Sequence, residues 1–197
     1  MPDAYRVPEE IQYTYRDYLE LELEAFERCE LIDGEFYAMA APNTAHQRIS
    51  GRLFSRIFNF LESKPCEVFS APYDVILPFP RRRHQKNVFD MTTVVQPDIS
   101  VICDRTKIIE SGCFGAPDFI IEILSPGNTP VEMLRKLDLY KRAGVREYWV
   151  VDPALKSVQV YILQHNEYLP ALYHESDTIP VSILPGLDIS LPAVFAA

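Results

Sequence analysis

Two acidic residues interrupt runs that otherwise read as buried β-strands. Asp98 breaks Val94-Val95-Gln96-Pro97-Asp98-Ile99-Ser100-Val101-Ile102, and Glu122 breaks Phe119-Ile120-Ile121-Glu122-Ile123-Leu124. Burying a charge without a partner is costly, so carboxylates at such positions need a reason. Two carboxylates on adjacent strands can share a hard divalent cation such as Mg²⁺. Taken singly, each has a plainer reading: Asp98 closing a turn at a strand end, Glu122 paired with an arginine. A second Pro-Asp pair, Pro117-Asp118, competes with Pro97-Asp98. Asp118 and Glu122 share a strand face, but their Cα atoms would lie roughly 13 Å apart at about 3.3 Å per residue. That spacing suits one shared ion poorly, which favours Asp98.

Lys136 is the third candidate. At about 100° per residue it falls in an arc with Met133, Leu139, Tyr140 and Ala143, while Arg135, Asp138 and Arg142 form the polar face. A lysine on the sheet-facing side of a helix can neutralise an anion or orient a water. Lys141 also points toward that arc, but near the helix end its long side chain can reach outward.

These residues need elements to position them. Thr14 to about Phe26 reads as a short helix with Thr14 as N-cap and Asp17 three residues on. Arg28–Ile32 and Glu35–Met39 flank Asp33-Gly34, a two-residue hairpin signal. Thr44-Ala45-His46-Gln47 reads as a capping box opening a helix to about Glu62, with Ile49, Leu53, Ile57 and Leu61 as its buried stripe. Strands are predicted over Glu67–Leu77, Val94–Cys103, Phe119–Leu124, Glu147–Val151 and Ser157–Leu163. Thr129-Pro130-Val131-Glu132 opens a helix that runs to Ala143 and stops at Gly144. The run from Pro78 to Asp90 reads as a basic loop. Strand, helix and strand in that order predict an α/β chain with a mixed sheet and packed helices.

Composition sets the outer limits. The chain has 197 residues, 48% of them apolar and 24% charged, which suits one soluble globular domain. Its apolar stretches are strand-sized and interrupted, and the N-terminus carries no apolar signal core, so a cytoplasmic location is expected. Cys29, Cys66, Cys103 and Cys113 form no Cys-x-x-Cys pair, and reduced, mostly buried thiols are expected. No glycine-rich phosphate loop is present. The formal net charge of −9 disfavours nonspecific coating of nucleic acid, although it leaves room for a local basic groove.

The strings Val95-Gln96-Pro97-Asp98-Ile99-Ser100-Val101 and Gly115-Ala116-Pro117-Asp118-Phe119-Ile120-Ile121-Glu122-Ile123-Leu124-Ser125-Pro126 resemble the Uma family of restriction-endonuclease-like proteins. The likeness continues through the segment from Lys136 to Pro153, and includes Glu30-Leu31-Ile32-Asp33-Gly34-Glu35, Pro42 with His46, and Leu184-Pro185-Gly186-Leu187. That family was catalogued as a domain of unknown function within the PD-(D/E)XK nuclease superfamily. The resemblance implies a restriction-endonuclease-like core, a central mixed β-sheet flanked by helices, with an extra N-terminal helix and β-hairpin. One domain is expected: helix and hairpin at about 10–40, nuclease core at about 43–163, and a C-terminal extension at about 164–197.

The resemblance also implies roles. Asp98 matches the Pro-Asp carboxylate and Glu122 the acidic residue of the next strand. The usual lysine two residues later is replaced by Leu124, and Lys136 occupies the position to which this family has moved it. Glu30 and His46 match recurrent positions, with Glu30 a further potential metal ligand. The implied chemistry is Mg²⁺- or Mn²⁺-dependent phosphodiester hydrolysis, most readily of DNA, with Asp98 and Glu122 as the metal carboxylates. Without metal, clustered carboxylates should repel one another, raising at least one pKa and loosening both side chains. Candidate nucleic-acid contacts are Arg48, Arg52 and Arg56 on one helix, and Arg81, Arg82, Arg83 and Lys86 in the basic loop. A homodimer would match the two-fold symmetry of a duplex. The competing readings are an inactive nuclease-fold module that binds nucleic acid or protein, and a hydrolase of small phosphate esters.

Overall fold

The computed structural model describes residues 12–24, 28–79 and 87–196. In chain order the elements begin with α1 (Tyr15–Glu24), β1 (Cys29–Ile32), β2 (Glu35–Ala38), α2 (Thr44–Leu61), β3 (Glu67–Ser70), β4 (Val75–Ile76), β5 (Val94–Val95) and β6 (Ile99–Ile102). Next come β7 (Ile108–Ile109), β8 (Gly112–Phe114), β9 (Phe119–Ile123), α3 (Pro130–Ala143), β10 (Glu147–Asp152) and β11 (Ser157–Gln164). The chain finishes with β12 (Glu167–His174), β13 (Thr178–Pro180), β14 (Asp188–Ser190) and α4 (Leu191–Phe195).

These strands make two six-stranded mixed sheets, not the one central sheet expected. One has the order β2-β1-β5-β4-β8-β7 and the other β12-β11-β10-β9-β6-β3, with β13-β14 as a separate pair. The difference arises where apolar runs look continuous. The run 67–77 divides into β3 in one sheet and β4 in the other, and 94–103 divides into β5 and β6 in the same way. Pro72 and Pro97 sit at the two crossings. Proline has no ladder donor to give, so it suits a strand that leaves one sheet for another. Asp98 follows Pro97 directly and therefore stands at a corner between the sheets.

Helix α2 starts one residue earlier than its sequence signature suggests. Asn43, not Thr44, is the N-cap, its side chain accepting from the His46 N–H at 2.9 Å. Ile49, Leu53, Ile57 and Leu61 are buried as their spacing requires, against Ile121, Ile123 and Trp149 of the second sheet. Each such side chain contributes about 1.5–3 kcal/mol relative to exposure. At α1, Thr14 donates from both its N–H and its hydroxyl to Asp17; residues 25–27 lie outside the described residues. Helix α3 is capped as predicted, with the reciprocal Thr129/Glu132 box, Pro130 in the first turn and Gly144 left-handed at φ +85°. It packs through Leu139 and Tyr140 on the other side of the second sheet, with Ile120, Tyr148 and Val150. The Asp33-Gly34 turn has φ of +54° and +89°, the hairpin geometry that glycine makes possible. Residues 167–174, within the expected C-terminal extension, form β12 and pair along the whole of β11. No helix among the described residues is long and apolar enough to cross a membrane.

The expectation of four reduced thiols is corrected at one pair. Glu67 opposes Ile102 in the antiparallel β3/β6 ladder, which brings Cys66 and Cys103 face to face, and they form a disulfide. Cys29 and Cys113 are buried thiols. The pairing was invisible because 37 residues separate the two cysteines, and only strand register makes them neighbours. Alkylation after denaturation without reductant should therefore label two cysteines, and four after reduction. Closing a loop of this length should stabilise the chain by up to about 4 kcal/mol, measured as the urea-unfolding difference between native protein and Cys103→Ser. Four labelled cysteines without reductant would refute the pairing.

Candidate active site

Strand β9 alternates its side chains. Phe119, Ile121 and Ile123 face α2, while Ile120, Glu122 and Leu124 face α3. Glu122 is thus presented to the helix that carries Lys136. The Lys136 Nζ lies 2.8 Å from Glu122 Oε1 and 3.0 Å from Glu30 Oε1, and Tyr140 donates its hydroxyl to Glu122 Oε1 at 2.6 Å. Glu30, on β1, is 4% exposed and also accepts from the Gln96 N–H at 3.0 Å. Asp98 Oδ2 accepts from the Ile123 N–H at 2.7 Å and lies 3.1 Å from His46 Nε2. One cleft of about 90 Å³ is lined by Glu30, His46, Asp98, Glu122 and Lys136, with Leu124 and Met133 among its apolar walls.

Burial raises the Glu122 carboxyl to about 7; Lys136 pulls it down, but Glu30 and Asp98 add to the rise. For Lys136, burial favours the neutral amine, yet Glu122 and Glu30 outweigh it and hold the ammonium protonated above its ordinary range. Tyr140 is pushed well up by burial and by Glu122, so it stays a donor. The expected rise in one carboxyl pKa is therefore present. Lys136 and Tyr140 contact Glu122, and His46 and the Ile123 N–H contact Asp98.

A metal can still be accommodated. Asp98 Oδ1 and Glu122 Oε2 accept no hydrogen bond among the described residues. No group of three His, Cys, Asp or Glu side chains there forms a ready cage. Mg²⁺ is commonly held by one or two carboxylates and keeps several waters, so this sparse oxygen set fits it. Glu30, expected as a further ligand, has its Oε1 on Lys136 and the Gln96 N–H, while its Oε2 likewise accepts no hydrogen bond among the described residues.

Residues 15–192 match the profile of a family described as "Putative restriction endonuclease". The chain belongs to the Uma2 family. It is 23% identical over 181 residues to uncharacterized protein slr1290 of Synechocystis, covering 91% of this chain and 89% of that one. It is 24% identical over 151 residues to uncharacterized protein sll1609 of the same organism, covering 75% and 79%. A crystal structure titled as a "putative nuclease belonging to DUF820" from Anabaena variabilis superposes with a TM-score of 0.70. That match has 23% identity and covers 90% of this chain and 97% of that one.

In this Uma2 chain Leu124 lines the cleft that Lys136 enters, so an amine reaches the site from the helix although the strand position is apolar. Asp118, the rival acid, bonds the Cys103 N–H and Arg146 and does not line the cleft. Lys141 pairs with Glu167 at the exposed rim. Arg52 and Arg56, expected at phosphates, instead donate to carbonyls at residues 193, 194 and 196 of the C-terminal segment. Arg48 is exposed, and Arg81, Arg82, Arg83 and Lys86 lie outside the described residues. Tyr140 was missed because an aromatic in an apolar helix arc reads as core. Its signal was its place one turn beyond Lys136 on the same face.

Glu122 is neutralised more readily folded than unfolded, so its stabilising contribution is complete below about 4.5 and is lost as pH rises to about 7. Unfolding free energy of the metal-free protein should fall across that window by on the order of 1–3 kcal/mol. Glu122→Gln should remove most of the slope, leaving the smaller share of buried Glu147, also raised. An identical slope in Glu122→Gln, by urea titration in chelator, contradicts this electrostatic account.

Proposed function

We propose that this protein is a metal-dependent endonuclease that hydrolyses DNA phosphodiesters. The observation that carries the reading is the meeting of three side chains from separate elements in one cleft: Asp98 from a sheet corner, Glu122 from β9 and Lys136 from α3. Asp98 and Glu122 would hold Mg²⁺ or Mn²⁺ through their unbonded oxygens. Such an ion, when bound, supplies Lewis acidity and an activated water.

The chain's own groups account for the rest. The Lys136 ammonium, fixed by two carboxylates, sets a positive charge where negative charge develops on the phosphoryl oxygens. Tyr140 and the Ile123 N–H orient Glu122 and Asp98, so neither needs to reorganise as charge moves. Leu124 and Met133 limit water at the cleft wall, which strengthens these interactions. A homodimer matching the two-fold symmetry of a duplex belongs to the same proposal.

A second reading is a nuclease-fold module that binds without cutting. It is favoured by the site's self-sufficiency, since both acids have donors already, and by the net charge of −9. The two readings part on activity. Asp98→Asn and Lys136→Ala should each lower Mg²⁺- or Mn²⁺-dependent cleavage of DNA by at least about a hundredfold. Wild-type cleavage by both variants rules out the assigned centre, and calorimetry showing no divalent binding to the wild type supports the non-cutting module.

A further inference from the structure

The active-site cleft does not end at Asp98. It meets a second cleft of about 240 Å³, and Met39, Ala40, His46 and Asp98 line both. Beyond that junction the lining changes in character. The first cleft contains Glu30, Glu122 and Glu132 besides Asp98, whereas among the described residues the second has no acid but Asp98 and adds Arg28, Gln47, Ser50 and Ser70. A cation and neutral donors with little opposing charge suit a phosphate backbone, even on a chain of net charge −9.

One face of α2 forms much of this wall. Gln47, Ser50, Gly51 and Phe54 recur at helical spacing, beside the buried stripe of Ile49, Leu53 and Ile57. Gly51 lies well inside an 18-residue helix, where glycine is the least favourable residue after proline. A Cβ there would meet nothing within 4 Å, so no packing demand accounts for the glycine. What its absent side chain leaves open is the cleft. One turn on, Phe54 lines the same space and is backed by the Phe58 ring, stacked at 5.9 Å. An aromatic in a polar groove is the platform on which an unpaired base stacks.

We infer that the second cleft seats the nucleotides of a single DNA strand on the side of Asp98 away from Glu122, with a base against Phe54. This rests on the nuclease reading for the position of the scissile phosphate. The occupant is one strand, since a cleft of about 240 Å³ is far smaller than a paired helix.

The test is binding of a labelled single-stranded oligodeoxynucleotide to the full chain without divalent ion, followed by fluorescence anisotropy. Gly51→Leu fills the open space while replacing a helical glycine, so its Tm should not fall. It should weaken binding roughly tenfold or more. Gln47→Glu should also weaken binding and Gln47→Lys tighten it, both on an exposed side chain. Wild-type affinity in all three variants, or no binding of the oligonucleotide by the wild type, overturns the inference. Binding that responds to these variants without any cleavage supports the second cleft and removes the hydrolytic reading. Cleavage with affinities unmoved by the variants keeps the hydrolytic reading and removes the second cleft.

Discussion

The Lys136 ammonium held between Glu30 and Glu122 is the interaction on which the site depends. Two buried carboxylates, with Asp98 close by, would otherwise face one another in the cleft without a cation between them. Burial raises the Glu122 carboxyl, Lys136 pulls it back, and Glu30 and Asp98 add to the rise. Removing one partner of a buried pair leaves an uncompensated charge, commonly at a cost of about 3–5 kcal/mol.

That arrangement ties together parts of the chain that are distant in sequence. Glu30 comes from the hairpin strand β1, Glu122 from the other sheet and Lys136 from α3. The hairpin is accordingly not peripheral, because it supplies one wall of the lysine's cage. Asp98 reaches the same cleft because the strand run is broken at Pro97. Had 94–103 stayed in a single sheet, the carboxylate would have followed a ladder instead of standing at a corner. Its Oδ2 is then fixed by the Ile123 N–H, one residue beyond Glu122 on β9.

Much of this was legible because charge in an apolar run is conspicuous. Asp98, Glu122 and Lys136 each broke a pattern that otherwise demanded burial, and all three line the cleft. The capping box at Thr129, the stop at Gly144 and the stripe of α2 were readable because their signals are local. What was hidden depends on register or on partners far along the chain. Nothing in 67–77 or 94–103 marks a change of sheet except a proline, and strands as short as β7 and β8 carry too few residues to show a period. The Cys66–Cys103 bond follows from β3 opposing β6. Arg52 and Arg56 looked like a phosphate-binding stripe because the carbonyls they meet lie more than a hundred residues away.

The placement of the lysine on a helix has a physical consequence. An amine at position 124 would project from the same strand face as Glu122 and depend on that strand alone for its direction. From α3 it arrives across the cleft, where a second acid, Glu30, can grip it from the opposing sheet. Leu124 is then free to serve as apolar wall, lowering the local dielectric around the pair. Tyr140, one turn further along the same face of α3, reaches the same Glu122 oxygen. A single helix face thus both balances and aims the carboxylate.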